Sequence, residues 1–372
     1  MPGKCGRGLQ NHGRREAMTK SALIGTAAAV FMTALTPTTL VAQDSYHLRF
    51  ADIGPPRGTR AEVMMWWADE IKSRSDGRVE IEFFWGGALA NPASMVDSVG
   101  SGLADMGYVV GEYTTLLSRM AFASIPYVEN DPWVAMRATF DTVSENEDVQ
   151  DQLAETGVQF LNTFGPGPTQ ILSREPITTV EEFAGKKFQG AGAWQDWGKA
   201  MGAVTVTLPY HEGYPALERG TTDALQGWIT VTRAYKLYEV SPHITLANSG
   251  MTTSTGVVIN QELFDSMPAD LKAILQDTSV ELMDRYAQAL TAETDTIMEA
   301  LTQGVDGYKV TFHELPEDEL ARWKERAAFL VPAYVDAANE SGLDGQAIWD
   351  AYSANLEKYR QIVATEGYPW TE

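Results

Sequence analysis

Chemistry that needs a proton carrier, a nucleophile or a metal has few residues to draw on in this chain. Its 372 residues include five histidines and one cysteine. His211-Glu212 lacks the second histidine that a zinc-hydrolase helix requires, and Pro215 would break that helix. His47, His243 and His313 stand at no metal-ligand spacing from one another, and His47 and His313 read as ordinary edge residues on strands. No Gly-x-Ser-x-Gly elbow presents a serine. Gly190-Ala191-Gly192 lacks the third glycine of a dinucleotide turn, and Gly165-Pro166-Gly167-Pro168 carries prolines where a phosphate cradle needs amides. The acidic run Ser144 to Asp148 has neither the glycine turn nor the closing glutamate of a calcium loop. The expectation is a protein that binds without reacting, with no cofactor and no metal. The alternative from another class, a secreted hydrolase, would need a paired acid and base that the spacing does not supply.

What the chain concentrates instead is aromatic and amide side chains near predicted strand ends. Trp85, Tyr108, Tyr113, Trp194, Trp197, Tyr210, Tyr214 and Trp228 all fall there. Core packing accounts for Trp197 and Tyr214. Tyr108, Tyr210 and Trp228 lie at or near strand ends at the crevice, and Trp194 follows the strand that ends at Gln189, so these are expected to line a pocket. Glu112 is the acid nearest the end of the third strand. An acid beside aromatic faces would suit a cation.

The elements that must position these residues alternate. Tyr46–Asp52, Val79–Trp85 and Asp105–Val110 read as strands separated by helices at about 59–73 and 92–103, a β-α-β-α-β order that favours a parallel sheet. The stretch 178–228 repeats the scheme. A capped turn at VEEF precedes the strand Lys187–Ala191, a helix from Trp194 to Met201, the strand Val204–Leu208, a short helix Tyr214–Arg219 and a third strand from Asp223. Ligands in open α/β sheets sit at the carboxyl ends of the strands, which gathers Gln189, Tyr210 and Trp228 around one crevice. His243–Ala247 and Thr255–Asn260 read as returning strands. From Pro268 to Gly304, apolar residues at helical spacing predict one helix of ~50 Å at 1.5 Å per residue. Helices over 317–339 and 345–366 close the chain.

This order resembles the substrate-binding proteins of tripartite ATP-independent periplasmic (TRAP) transporters, the dicarboxylate-binding-protein-like family. The matching segments are Gly102-Leu103-Ala104-Asp105-Met106, Gly185-Lys186-Lys187-Phe188-Gln189, Met201-Gly202-Ala203 with Leu208-Pro209, and Tyr214-Pro215-Ala216-Leu217 through Gly220 to Asp223. The resemblance implies a two-lobe α/β fold with a cleft between lobes, a long helix spanning both, and hinge closure around a small organic solute. It implies TRAP-type membrane permease subunits as partners and no ATPase. Residues 43–164 would form the first part of lobe 1, 165–248 the first part of lobe 2, and 249–285 the return to lobe 1 with the start of the long helix. Residues 286–372 would hold the rest of that helix and the closing helices of lobe 2.

One departure bears on the ligand. The arginine that binds carboxylates in this family falls on Gln189, and a second arginine found in some members falls near Thr169-Gln170. Either Arg57 or Arg233 then supplies a cation from another direction, or the ligand is an amine, amino alcohol or polyol rather than a simple carboxylate. The expected ligand-binding set is Gln189, Trp194, Tyr210, Trp228, Tyr108, Arg57, Glu112 and Thr169.

The formal net charge of −22 makes nucleic acid an implausible partner. Residues 1–42 read as a secretory signal peptide: five basic residues and one acid, an apolar run from Ala22 to Leu35, and Leu40-Val41-Ala42 at the cut. The run is shorter than the ~20 apolar residues a membrane span needs. Its removal would take away Cys5 and leave a periplasmic chain with no membrane insertion of its own.

Overall fold

The computed structural model describes residues 44–114 and 117–371. The expected signal peptide lies outside them. In chain order the strands are β1 (Tyr46–Ala51), β2 (Val79–Phe84), β3 (Met106–Val110), β4 (Val158–Thr163), β5 (Gln170–Ser173) and β6 (Lys187–Gln189). They are followed by β7 (Val204–Val206), β8 (Ala224–Gly227), β9 (His243–Leu246), β10 (Thr255–Asn260) and β11 (Thr311–Glu314). They build two sheets, ordered β2-β1-β3-β10-β4 and β11-β9-β5-β8-β6-β7. β1 runs parallel to β2 and β3, and β10 returns antiparallel between β3 and β4. The second sheet repeats the plan, with β6 parallel to β7 and β8 while β5 lies antiparallel to β8 and β9. Two short connections, 164–169 and 247–254, cross between the sheets, and the chain crosses again between β10 and β11.

Alternation explains β1, which buries Leu48 and Phe50 and leaves Arg49 to pair with Asp105 at 2.9 Å. The helix Thr59–Arg74 covers the sheet with Val63, Met64, Trp67 and Ile71. Trp67 also donates to Thr278 Oγ1 at 3.1 Å, which ties this helix to the long one. The long helix, Ala269–Gln303, runs 35 residues. Leu271, Leu275, Leu282 and Tyr286 pack into the core of the first lobe, whereas Ile297 and Leu301 pack with Leu172, Leu225 and Ile244 of the second sheet. One apolar stripe therefore serves both lobes.

Two expectations about the chain's end fail. The closing helix Gly345–Glu366 lies not on the second lobe but along Pro132–Glu145 of the first. Trp133 meets Tyr359 edge-on with centroids 5.3 Å apart, Tyr359 donates to Asp141 at 2.6 Å, and Arg360 pairs with Glu129 at 2.8 Å. The helix expected over 317–339 is two, Glu317–Glu325 and Leu330–Glu340. Pro332 sits in the first turn of the second, where its ring and missing N–H forbid a continuous helix through Ala328. His243 and His313, expected to be unrelated, meet where β9 and β11 pair, with Nδ1 and Nε2 3.0 Å apart.

Candidate functional site: an aromatic cleft between the sheets

The carboxyl ends of β1, β3, β6 and β8 face one cleft of about 1050 Å³, open mouth included. The first lobe contributes the loop 53–60, Tyr108, Glu112 and Tyr113, and the long helix adds Tyr286. The second lobe contributes Gln189, Tyr210, Gln226, Trp228 and Tyr235.

At the first wall a buried ion pair stands directly after β1. Asp52 is fully buried; its Oδ1 accepts from the Gly54 amide at 2.7 Å and its Oδ2 from Arg60 Nη1. Arg60 lies on the first turn of the helix Thr59–Arg74, with its guanidinium carbon 5.0 Å from the centroid of Tyr108 and 5.7 Å from that of Trp85. Tyr108 is itself stacked on Phe164 at 5.0 Å. Burial works against the charge on Arg60, but Asp52 outweighs it and the guanidinium is held more firmly protonated than usual. A Cβ at position 54 would lie 2.2 Å from Arg60 Nη2, so any larger residue there would push the guanidinium from its place.

Glu112 follows β3 in a short turn. Its Oε1 accepts from Ser254 Oγ at 2.9 Å, and Ser254 is linked in turn to Ser124 at 2.6 Å. Its Oε2 is buried with no partner among the described residues, and burial raises the pKa of this carboxyl. Gln189 ends β6 on the facing wall. Its Nε2 donates to the carbonyls of Leu208 and Pro209 at 3.2 and 3.3 Å. The opposite amide orientation would set Oε1 against two carbonyl oxygens, so the donor side is fixed. Gln189 Oε1 is left buried and without a donor among the described residues. Tyr210 packs between Trp228 and Tyr235, at 5.1 and 5.5 Å, and its hydroxyl also lacks a partner among the described residues.

Of the residues singled out from sequence, Gln189, Tyr210, Trp228, Tyr108, Arg57 and Glu112 line the cleft. Trp194 and Thr169 do not. Trp194 is fully buried behind β6 and packs edge-on against Trp197 at 6.0 Å, because its helix turns that face to the core. Thr169 is fully buried in the crossing segment, where its Oγ1 accepts from Trp228 Nε1 at 3.1 Å and so holds the indole that does reach the cleft. Arg57 donates to the Ala234 carbonyl at 2.7 Å, and Arg233 is exposed and absent from the lining. The guanidinium deepest in the site is Arg60, three residues beyond Arg57, which sequence reasoning missed together with Asp52, Tyr235 and Tyr286. Its signal was available: a helix that starts at a strand's carboxyl end aims its first turn at the crevice. Among the described residues no group of three or more histidines, cysteines and acids is placed to hold a metal ion.

The model of the bacterial extracellular solute-binding protein family 7, DctP, matches residues 50–336. The chain belongs to that family. The family is the extracytoplasmic, substrate-binding component of TRAP transport and works with a membrane permease rather than as an enzyme. The ectoine-binding periplasmic protein TeaA of Halomonas elongata is 25% identical over 77% of this chain and 83% of its own length. The C4-dicarboxylate-binding periplasmic protein DctP of Rhodobacter capsulatus is 28% identical over 52% of this chain and 56% of its own. Among solved structures, a TRAP solute-binding protein of Rhodoferax ferrireducens with copurified benzoate superposes with a TM-score of 0.78 at 21% identity, covering 85% of this chain and 99% of that one. The TeaA structure superposes at 0.74, with 22% identity, 84% of this chain and 99% of its own. These likenesses carry the two-lobe fold. No helix among the described residues is long and apolar enough to cross a membrane.

Proposed function

We propose that the chain, exported by its N-terminal signal, delivers to a TRAP-type permease a compact solute with a cationic, hydrogen-bond-donating group. The observation that carries this reading is a pair of buried acceptors on cleft-lining residues, Gln189 Oε1 and Glu112 Oε2, neither of which has a donor among the described residues. Buried polar atoms of folded proteins are rarely left unpaired, and a donor on the solute would satisfy both. A cation there would meet the faces of Tyr210 and Trp228 and an acid held in a dry site. Simple dicarboxylates would bring only further acceptors to these two atoms.

Arg60 supports a second feature of the same ligand. It offers a guanidinium to an anionic group, as the carboxylate-binding reading asks, but Asp52 already neutralises its charge. A ligand with both signs suits this wall and the opposite one better than an anion does. The relatives TeaA and UehA are named for binding ectoine and, for UehA, 5-hydroxyectoine as well. Ectoine, a cyclic amidinium bearing one carboxylate, has the required chemistry and serves as the probe. Titration calorimetry with ectoine, a small amino alcohol and succinate tests the proposal: heat from either of the first two and none from succinate is the expected result. Binding of succinate alone would overturn it.

A further inference from the structure

Two hydrogen bonds join the lobes at the cleft, each made to a backbone group of the second lobe. Arg57 Nε, from the loop after β1, donates to the carbonyl of Ala234 in the second lobe at 2.7 Å. The backbone amide of Tyr210, after β7, donates to the hydroxyl of Tyr113 in the first lobe at 3.2 Å. Each bond has a glycine beside it that permits the approach. A Cβ on Gly58 would lie 3.1 Å from the Ala234 methyl, and one on Gly192 would lie 3.1 Å from Glu112 Cγ. Both glycines also have positive φ, 82° and 53°, so neither position readily takes another residue.

We infer that Arg57 and Tyr113 form a ligand-independent latch: the closed arrangement is fastened lobe to lobe and is populated before any solute binds. Arg57 then acts as a positioning residue for closure, not as the carboxylate partner that its place in the sequence suggests. Because both acceptor and donor on the second lobe are backbone groups, the latch has the same strength whichever solute the cleft holds. A solute binding to the closed form gains affinity in proportion to the fraction already closed. Weakening the latch would therefore lower affinity for all solutes by one common factor, whereas changing Gln189 or Glu112 would alter their ranking.

The test needs no solute, so its outcome is independent of the ligand proposed above. The sole cysteine is Cys5, and a Cys5→Ser chain with cysteines introduced at Leu103 and Val204 carries one spin label per lobe. Both positions are exposed, at 54% and 57%. Distances are read by pulsed electron resonance on protein refolded from denaturant to strip any copurified solute. The latch predicts a closed population in the unliganded protein that Arg57→Ala lowers about fivefold, the scale of one partly solvated hydrogen bond. Tyr113→Phe, which removes only a hydroxyl, should lower it by a similar factor with the fold intact. A single open population in the unsubstituted protein, or a closed fraction that neither change reduces, would overturn the inference.

Discussion

Replacing Glu112 by glutamine should weaken binding while stabilising the fold, and this opposition makes the substitution informative. Glutamine keeps an oxygen to accept from Ser254 Oγ, now 2.9 Å from Oε1, but turns the unpartnered Oε2 into a donor. A hydrogen bond between a cationic donor and a carboxylate contributes about 1.5–3 kcal/mol. Its loss corresponds to roughly a 10- to 150-fold weaker Kd for ectoine by calorimetry at pH 7. Stability moves the other way. Burial raises the folded pKa of Glu112 above the ordinary 4.5, so the folded state holds this proton more tightly than the unfolded chain does. Stability is then lost as pH rises from 4.5 through the raised pKa, and an uncharged glutamine escapes that loss. The melting temperature of Glu112→Gln should exceed that of the parent at pH 7, and the gap should close below pH 4.5. Ectoine affinity of the parent should fall over the same acid range as Glu112 takes up its proton, while the variant stays flat. Unchanged affinity together with a lower melting temperature would refute the assignment and make Glu112 a structural residue.

Gln189→Arg replaces the free acceptor with donors and places a charge at a position only 4% exposed. Calorimetry should show at least about a tenfold loss for ectoine, the effect of one lost hydrogen bond of ~1.4 kcal/mol or more. Thr169→Val leaves the indole N–H of Trp228 buried and unpaired, which should cost about 1–3 kcal/mol in urea unfolding. Asp52→Asn leaves Arg60 without its counter-ion in a largely buried site. The expected destabilisation is about 3 kcal/mol, visible in the same assay, and a stability equal to the parent's would show that the pair is not coupled to folding.

The helices and strands were largely legible because their signals are local. Thr179 accepts from the Glu182 amide while Glu182 accepts from Thr178, a box written in five consecutive residues. The apolar spacing from Leu271 to Leu301 likewise specifies the long helix without reference to its partners. What could not be read was the direction in which side chains near a strand end finally point. Trp194 and Tyr210 both follow second-lobe strands, yet one turns into a tryptophan cluster and the other into the cleft, a choice made by packing against Trp197 and Trp228. Arg60 escaped notice because its role depends on Asp52 and Tyr108, eight residues before it and much further on in the chain. The closing helix was misplaced for the same reason: its amphipathic face fits either lobe, and only contacts such as Lys358 with Asp141 decide which.

On the function proposed above, the cleft selects a donor-bearing solute in place of the carboxylate that an arginine at position 189 would hold. The most direct measurement is the shift in melting temperature with ectoine, a small amino alcohol, a polyol and succinate, each at a fixed concentration. A compound at 100 times its Kd adds ~2.7 kcal/mol to apparent stability. A cleft of this chemistry should give a clear rise with ectoine or the amino alcohol and none with succinate. A rise with succinate alone would contradict it.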